Sequence, residues 1–271
     1  MMFSSIRLSS SLAASHNVHN VVPRHPASGE PRDSPRTARV AHRSHGPGLL
    51  TAAVLTASIV LSGCSTSSDQ SLPTRSPAPS GSTGASGSQD VHFTVGYAGD
   101  VLMHMPVMES TPGASGDITD NVAAETPWVE GLDLALCGME VPVAPDGVYS
   151  GYPAFGTSSE VIGALARSGW DGCATASNHA ADRGEAGVVA TLDALDAHGL
   201  GHAGTYRSPE DASVPFALYE LERGGRTVTV AQISTTKDLN GLDDPTGYSV
   251  SLNDVGAITK AAKSARAAGA D

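Results

Sequence analysis

The sequence predicts an α/β fold built in layers. Between residues 91 and 271, apolar runs of strand character alternate with helical periodicities. That alternation is what a sheet covered by helices requires. Three of the runs stop at residues able to do chemistry: Gly99-Asp100, Met139-Glu140 and Asn178-His179. One further pair of runs is separated by Glu222-Arg223-Gly224-Gly225, a turn that closes an antiparallel hairpin.

In chain order, residues 91–98 alternate as a strand and end at Gly99-Asp100, with His104 close behind. Residues 132–139 form a second apolar strand ending at Glu140. Thr157 to Glu160 spells a capping box, and Val161, Ile162, Leu165 and Ala166 follow at helical spacing until Gly169. Residues 170–176 are a third strand, which stops at Asn178-His179. Residues 185–198 read as a helix with Val188, Val189, Leu192 and Leu195 on one face and Gly199 as its stop. Residues 214–221 and 226–233 form the hairpin, and Asp254 opens a last helix reaching about residue 267. His198 and His202 flank a helix end and read as structural or surface residues.

Ligand-binding sites of open α/β sheets lie beyond the carboxyl ends of the strands. Asp100, Glu140, Asn178 and His179 are therefore candidate metal ligands at one sheet edge. Carboxylate, amide and imidazole donors together suit Mn, Fe or Zn rather than a soft thiolate site. Taken singly, each residue has a simpler reading as a loop or helix cap; their joint order favours the metal. His104 is a weaker additional candidate. Asp182, three residues after His179, orients that histidine or caps the next helix.

These residues resemble the CapA family of capsule-synthesis proteins, also called poly-γ-glutamate biosynthesis proteins, whose members resemble calcineurin-type metallophosphoesterases. The resemblance rests on Gly99-Asp100 with His104, on Met139-Glu140, and on Ser177-Asn178-His179 through Asp182-Arg183-Gly184. It continues to Gly199–Gly204 and Ser208–Ala212 and covers about residues 92–271. It implies a layered α/β/β/α metallophosphatase-like sandwich and a hydrolase site with one or two divalent cations. Asp100, Glu140 and Asn178 would be metal ligands, His179 a ligand or general acid/base, and Asp182 its orienting partner in the catalytic pair. Gly138 and Ser177 stand where the family carries Asn. Later His-rich blocks of the family have no counterpart before Asp271, so the expectation is a domain incomplete at the C-terminus. Three functions follow as expectations: a metallohydrolase of envelope-polymer metabolism, a non-catalytic component assisting polymer export or attachment within a capsule synthesis complex, or an inactive truncated fragment.

The first 90 residues differ in kind. They hold seven Arg, no Lys and four acids. Residues 1–39 read as a misannotated or disordered extension, with translation starting near Val40. Residues 40–64 read as a lipoprotein leader: Arg43, a short apolar stretch, then Leu61-Ser62-Gly63-Cys64. That ending resembles a lipobox, and it makes Cys64 the acylated residue tethering the protein to the membrane outside the cytoplasm. Residues 65–90 are a Ser/Gly/Pro-rich linker. Residues 91–271 hold 24 acidic and nine basic side chains, a formal charge of −15. Such a domain is a poor partner for nucleic acid and repels an anionic polymer unless a metal or a basic patch intervenes. Cys137 and Cys173 remain; they could pair if their strands are neighbours, and otherwise stand as buried free thiols, the reading preferred from sequence.

Overall fold

The computed structural model describes residues 90–271, together with the backbone of two strands nearer the N-terminus, β1 (Met2–Leu8) and β2 (Val21–Pro23). The start near Val40, the leader, Cys64 and the linker to residue 89 lie outside the described residues.

The first sheet runs β1, β3 (Val91–Val101), β4 (Leu134–Met139), β5 (Gly172–Ala174), β6 (Gly201–Ala203). β1 is antiparallel to β3, and the four strands from β3 to β6 are parallel. All six residues of β4 are buried, as a central parallel strand covered on both faces demands. The second sheet runs β2, β7 (Ala217–Arg223), β8 (Arg226–Gln232), with β7 and β8 forming the expected hairpin.

The helices among the described residues run α1 (Met105–Ser110), α2 (Thr126–Glu130), α3 (Glu160–Arg167), α4 (Gly184–Ala197), α5 (Pro209–Ala212) and α6 (Val255–Ala267). Side-chain alternation sorts the layers. Ala135, Cys137 and Met139 pack with Val161, Ile162 and Leu165 of α3 (Glu160–Arg167) and with Val188, Leu192 and Leu195 of α4 (Gly184–Ala197). The opposite face of the same strands, Phe93, Leu134 and Leu136, meets Tyr219, Leu221 and Val228 of the second sheet. Beyond that sheet, Phe216 and Leu218 pack on Ala265 of α6 (Val255–Ala267). The order is helix, sheet, sheet, helix, as the resemblance implied. The sheets approach closely because Gly172 and Gly201 leave room for Tyr219: a Cβ would lie 2.1 and 2.5 Å from its hydroxyl. That hydroxyl donates to Gln232 Oε1 at 2.7 Å, so it is not left unsatisfied in the core.

Two local expectations need correction. The capping box does not form: Thr157 lies in an extended bridge with Val143, its hydroxyl donates to Met108 Sδ, and the helix begins only at Glu160. Cys137 and Cys173 are not free thiols; their strands are neighbours, the two residues are paired in register, and they form a disulfide with Cα atoms 4.4 Å apart. The bond closes a separation of 36 residues, and its loss should cost about 3 kcal/mol. We expect the Cys137→Ala/Cys173→Ala variant to unfold roughly 6–12 °C lower by calorimetry, and dithiothreitol to lower the wild type but not the variant. An unchanged midpoint in both would count against the bond. At the other end, Asp254 caps α6 as expected, its carboxylate accepting from Ala257 N at 2.6 Å.

Candidate active site at the strand ends

The parallel strands deliver their C-terminal ends to one edge, and there the predicted residues gather. Between Ala98 and Val101, β3 takes three steps while β4 takes two, from Cys137 to Met139. The extra residue is a bulge at Gly99-Asp100, a device that re-aims a side chain next to a site. Glu140 follows directly after β4. Its half-buried carboxyl lies against the charge of Asp100, and its Oε2 is buried with no hydrogen-bond partner. Burial, then the neighbouring Asp100 charge, pushes the Glu140 carboxyl above its ordinary value, while His179 acts in the opposite direction. Two carboxylates facing each other, one with an orphaned oxygen, are the surroundings a bound cation would neutralise.

Ser177 ties the second part of the site to the first. Its hydroxyl donates to Glu140 O at 2.5 Å and accepts from His179 N at 3.1 Å. His179 is nearly buried, and its Nδ1 lies 2.8 Å from Asp182 Oδ2. An ionised carboxylate only accepts, so Nδ1 carries the proton on that side and Nε2 is the ring nitrogen turned away from Asp182. Asp182, with its side chain 3 % exposed, also accepts from Phe155 N at 2.7 Å. Arg183 completes the clamp on that loop, donating to Phe155 O at 3.1 Å, Val148 O at 2.8 Å and Ser150 Oγ at 2.6 Å.

Phe155 stands edge-on between two histidines, its centroid 4.7 Å from that of His179 and 4.9 Å from that of His104. His104 precedes α1 (Met105–Ser110) and comes into the neighbourhood through this ring, with no hydrogen bond to Asp100 or Glu140. Asn178 donates from Nδ2 to Asn240 Oδ1 at 3.2 Å, which leaves the Asn178 amide oxygen free to act as a donor to a cation. The Asn240 amide nitrogen lies 3.4 Å from both ring nitrogens of His179. Sequence reasoning missed Asn240 and Phe155. Asn240-Gly241 announces a turn, and Asn240 indeed adopts φ 55°; nothing local announces its contact with residues 178 and 179.

The structure thus joins Asp100 to Glu140, and Asn178, His179 and Asp182 to one another, with Ser177 between the two groups. Among the described residues, no three His, Cys, Asp or Glu side chains converge as a metal-holding group. The carboxylate pair alone fits a cation by the orphaned Glu140 oxygen; the full ligand set of the sequence reading is not assembled. A cavity of about 550 Å³ lies elsewhere, between β3, β8 and α6, lined by apolar residues such as Val95, Val230 and Ile258. It contains none of the site carboxylates.

A layered α/β/β/α fold with acidic residues and a carboxylate-held histidine at its strand ends defines the class of protein as metallophosphatase-like in architecture. Residues 94–270 match the family described as bacterial capsule synthesis protein PGA_cap, and the chain belongs to that family. Comparison with curated proteins gives no match.

Proposed function

We propose that this capsule synthesis protein is a lipid-anchored, extracytoplasmic component of capsule or poly-γ-glutamate biosynthesis whose strand-end site binds a divalent cation and hydrolyses a phosphoester or a related bond. The observation that carries the reading is the Asp100–Glu140 pair with its unpartnered buried oxygen. Asp100 and Glu140 would hold the cation, with Asn178 Oδ1 the next donor; Mn, Fe or Zn suit this set. When bound, such an ion supplies Lewis acidity and a water activated at neutral pH. The chain's own part is proton handling: Asp182 holds His179 through Nδ1 and leaves Nε2 facing away from it, so that nitrogen could take a proton or return one to a leaving oxygen. The Cys137–Cys173 disulfide supports an oxidising compartment, in line with the lipobox-like ending at Cys64.

The test is hydrolysis of bis(p-nitrophenyl) phosphate by the full chain with added Mn²⁺. Wild type should turn over only with metal, and Asp100→Asn should lose at least about 100-fold in kcat/KM. Equal rates with and without metal would sink the hydrolase reading. A second reading has its own support: because no three acidic, imidazole or thiol groups converge among the described residues, the site could bind a cation without turnover, as a non-catalytic component assisting export or attachment of an anionic polymer. Tight Mn²⁺ binding with no hydrolysis would select it.

A further inference from the structure

Tyr97 is a polar group beside the carboxylate pair that has no role assigned above. It lies on β3 on the same face as Phe93 and Val95, yet it is 42 % exposed, and its hydroxyl reaches Gly138 and Gly99 near the strand ends. Its hydroxyl fills a specific space. A Cβ on Gly138 would lie 2.6 Å from Tyr97 Oη, and one on Gly99 would lie 3.4 Å from it. Gly138 and Gly99 immediately precede Met139-Glu140 and Asp100, so the phenol oxygen stands at the strand ends that carry both carboxylates, in the place a side chain at 138 would take. A phenol is protonated at neutral pH, so this hydroxyl has a proton to donate.

We infer that Tyr97 is the oxyanion donor of this site: its hydroxyl, lodged against Gly138, donates a hydrogen bond to an oxygen of a phosphate-type ligand held at the Asp100–Glu140 centre. The inference rests on the reading that those carboxylates bind a divalent cation, since without one they would repel the anion. A neutral phenol suits the task. It offers one donor and adds no negative charge, where a third carboxylate would oppose the ligand. The absence of a side chain at 138 is what lets the ring reach the strand ends.

The experiment is calorimetric titration of the full chain, first with Mn²⁺ and then with inorganic phosphate onto the loaded protein. Tyr97→Phe should bind Mn²⁺ within about twofold of wild type and bind phosphate about tenfold more weakly, the loss of one hydrogen bond to a charged group. Gly138→Ser alone should also weaken phosphate, because its Cβ displaces the phenol. In the Tyr97→Phe/Gly138→Ser variant the new hydroxyl takes the vacated space, and phosphate binding should recover most of the loss. Recovery separates a donor role from mere packing, which a second substitution would worsen. Equal phosphate affinity in wild type and Tyr97→Phe would overturn the inference and leave the metal reading standing. Phosphate that fails to bind the loaded wild type would do the same. Wild type that binds no Mn²⁺ would overturn both. Circular dichroism and the unfolding midpoint confirm that each variant is folded; should Tyr97→Phe unfold, Gly138→Ser carries the test.

Discussion

Asp182→Ala is expected to destabilise the protein by about 4 kcal/mol and to lower any metal-dependent activity by one to two orders of magnitude. The carboxylate is 3 % exposed and serves two donors at once, Phe155 N at 2.7 Å and His179 Nδ1 at 2.8 Å. Alanine leaves both without an acceptor in the interior, and a buried unsatisfied donor costs about 1–3 kcal/mol, more when charge is involved. It also releases one of the two side chains that pin Phe155, leaving Arg183 alone on the loop. The ring between His104 and His179 then loses its fixed place. Asp182→Asn keeps one oxygen acceptor but not the charge, and should fall between alanine and wild type. Urea denaturation at constant m-value measures the first effect. An alanine variant within 1 kcal/mol of wild type would mean that water replaces the carboxylate and that the clamp is dispensable.

Glu140→Gln is expected to reduce Mn²⁺ affinity at least about 100-fold, and in metal-free protein to reverse part of the pH dependence of stability. The Glu140 carboxyl titrates above its ordinary value of 4.5, through burial and the adjacent Asp100. A group whose folded pKa is raised contributes stability that is present below the unfolded value and is lost as pH rises through the folded one. In EDTA, wild type should therefore lose stability from about pH 4.5 upward relative to Glu140→Gln, and the variant should be the more stable of the two at pH 8. Mn²⁺ at about 100 times its Kd should then return about 2.7 kcal/mol to wild type and little to the variant. Parallel pH profiles in EDTA would show that Asp100 and Glu140 do not burden the fold. Equal Mn²⁺ stabilisation of both proteins would remove Glu140 from the site.

Much of this arrangement is legible along the chain because it is local. The strand runs ending at Asp100, Glu140 and Asn178-His179, the helices α3, α4 and α6, and the hairpin of β7 and β8 each announce themselves through periodicity and a stop residue. The Asp182–His179 contact also belongs to this class, since three residues separate the partners. The capping box at Thr157 failed for the opposite reason: a bridge to Val143 held Thr157 extended and moved the helix start on to Glu160.

What lies far apart in the chain was decided by the tertiary structure. The disulfide needs β4 beside β5, and neither cysteine's neighbours in sequence reveal that pairing. Asn240 reaches Asn178 across 62 residues, and Phe155 reaches Asp182 across 27. Tyr97 meets Gly138 only because β3 and β4 are parallel and in register up to a bulge of one residue. Periodicity and stop residues encode which segments become strands and where their polar ends fall, because backbone geometry repeats over a few residues. Which of those ends meet depends on strand order and on how closely two sheets pack. Those are settled by burial of the whole core, and no short stretch of sequence contains it.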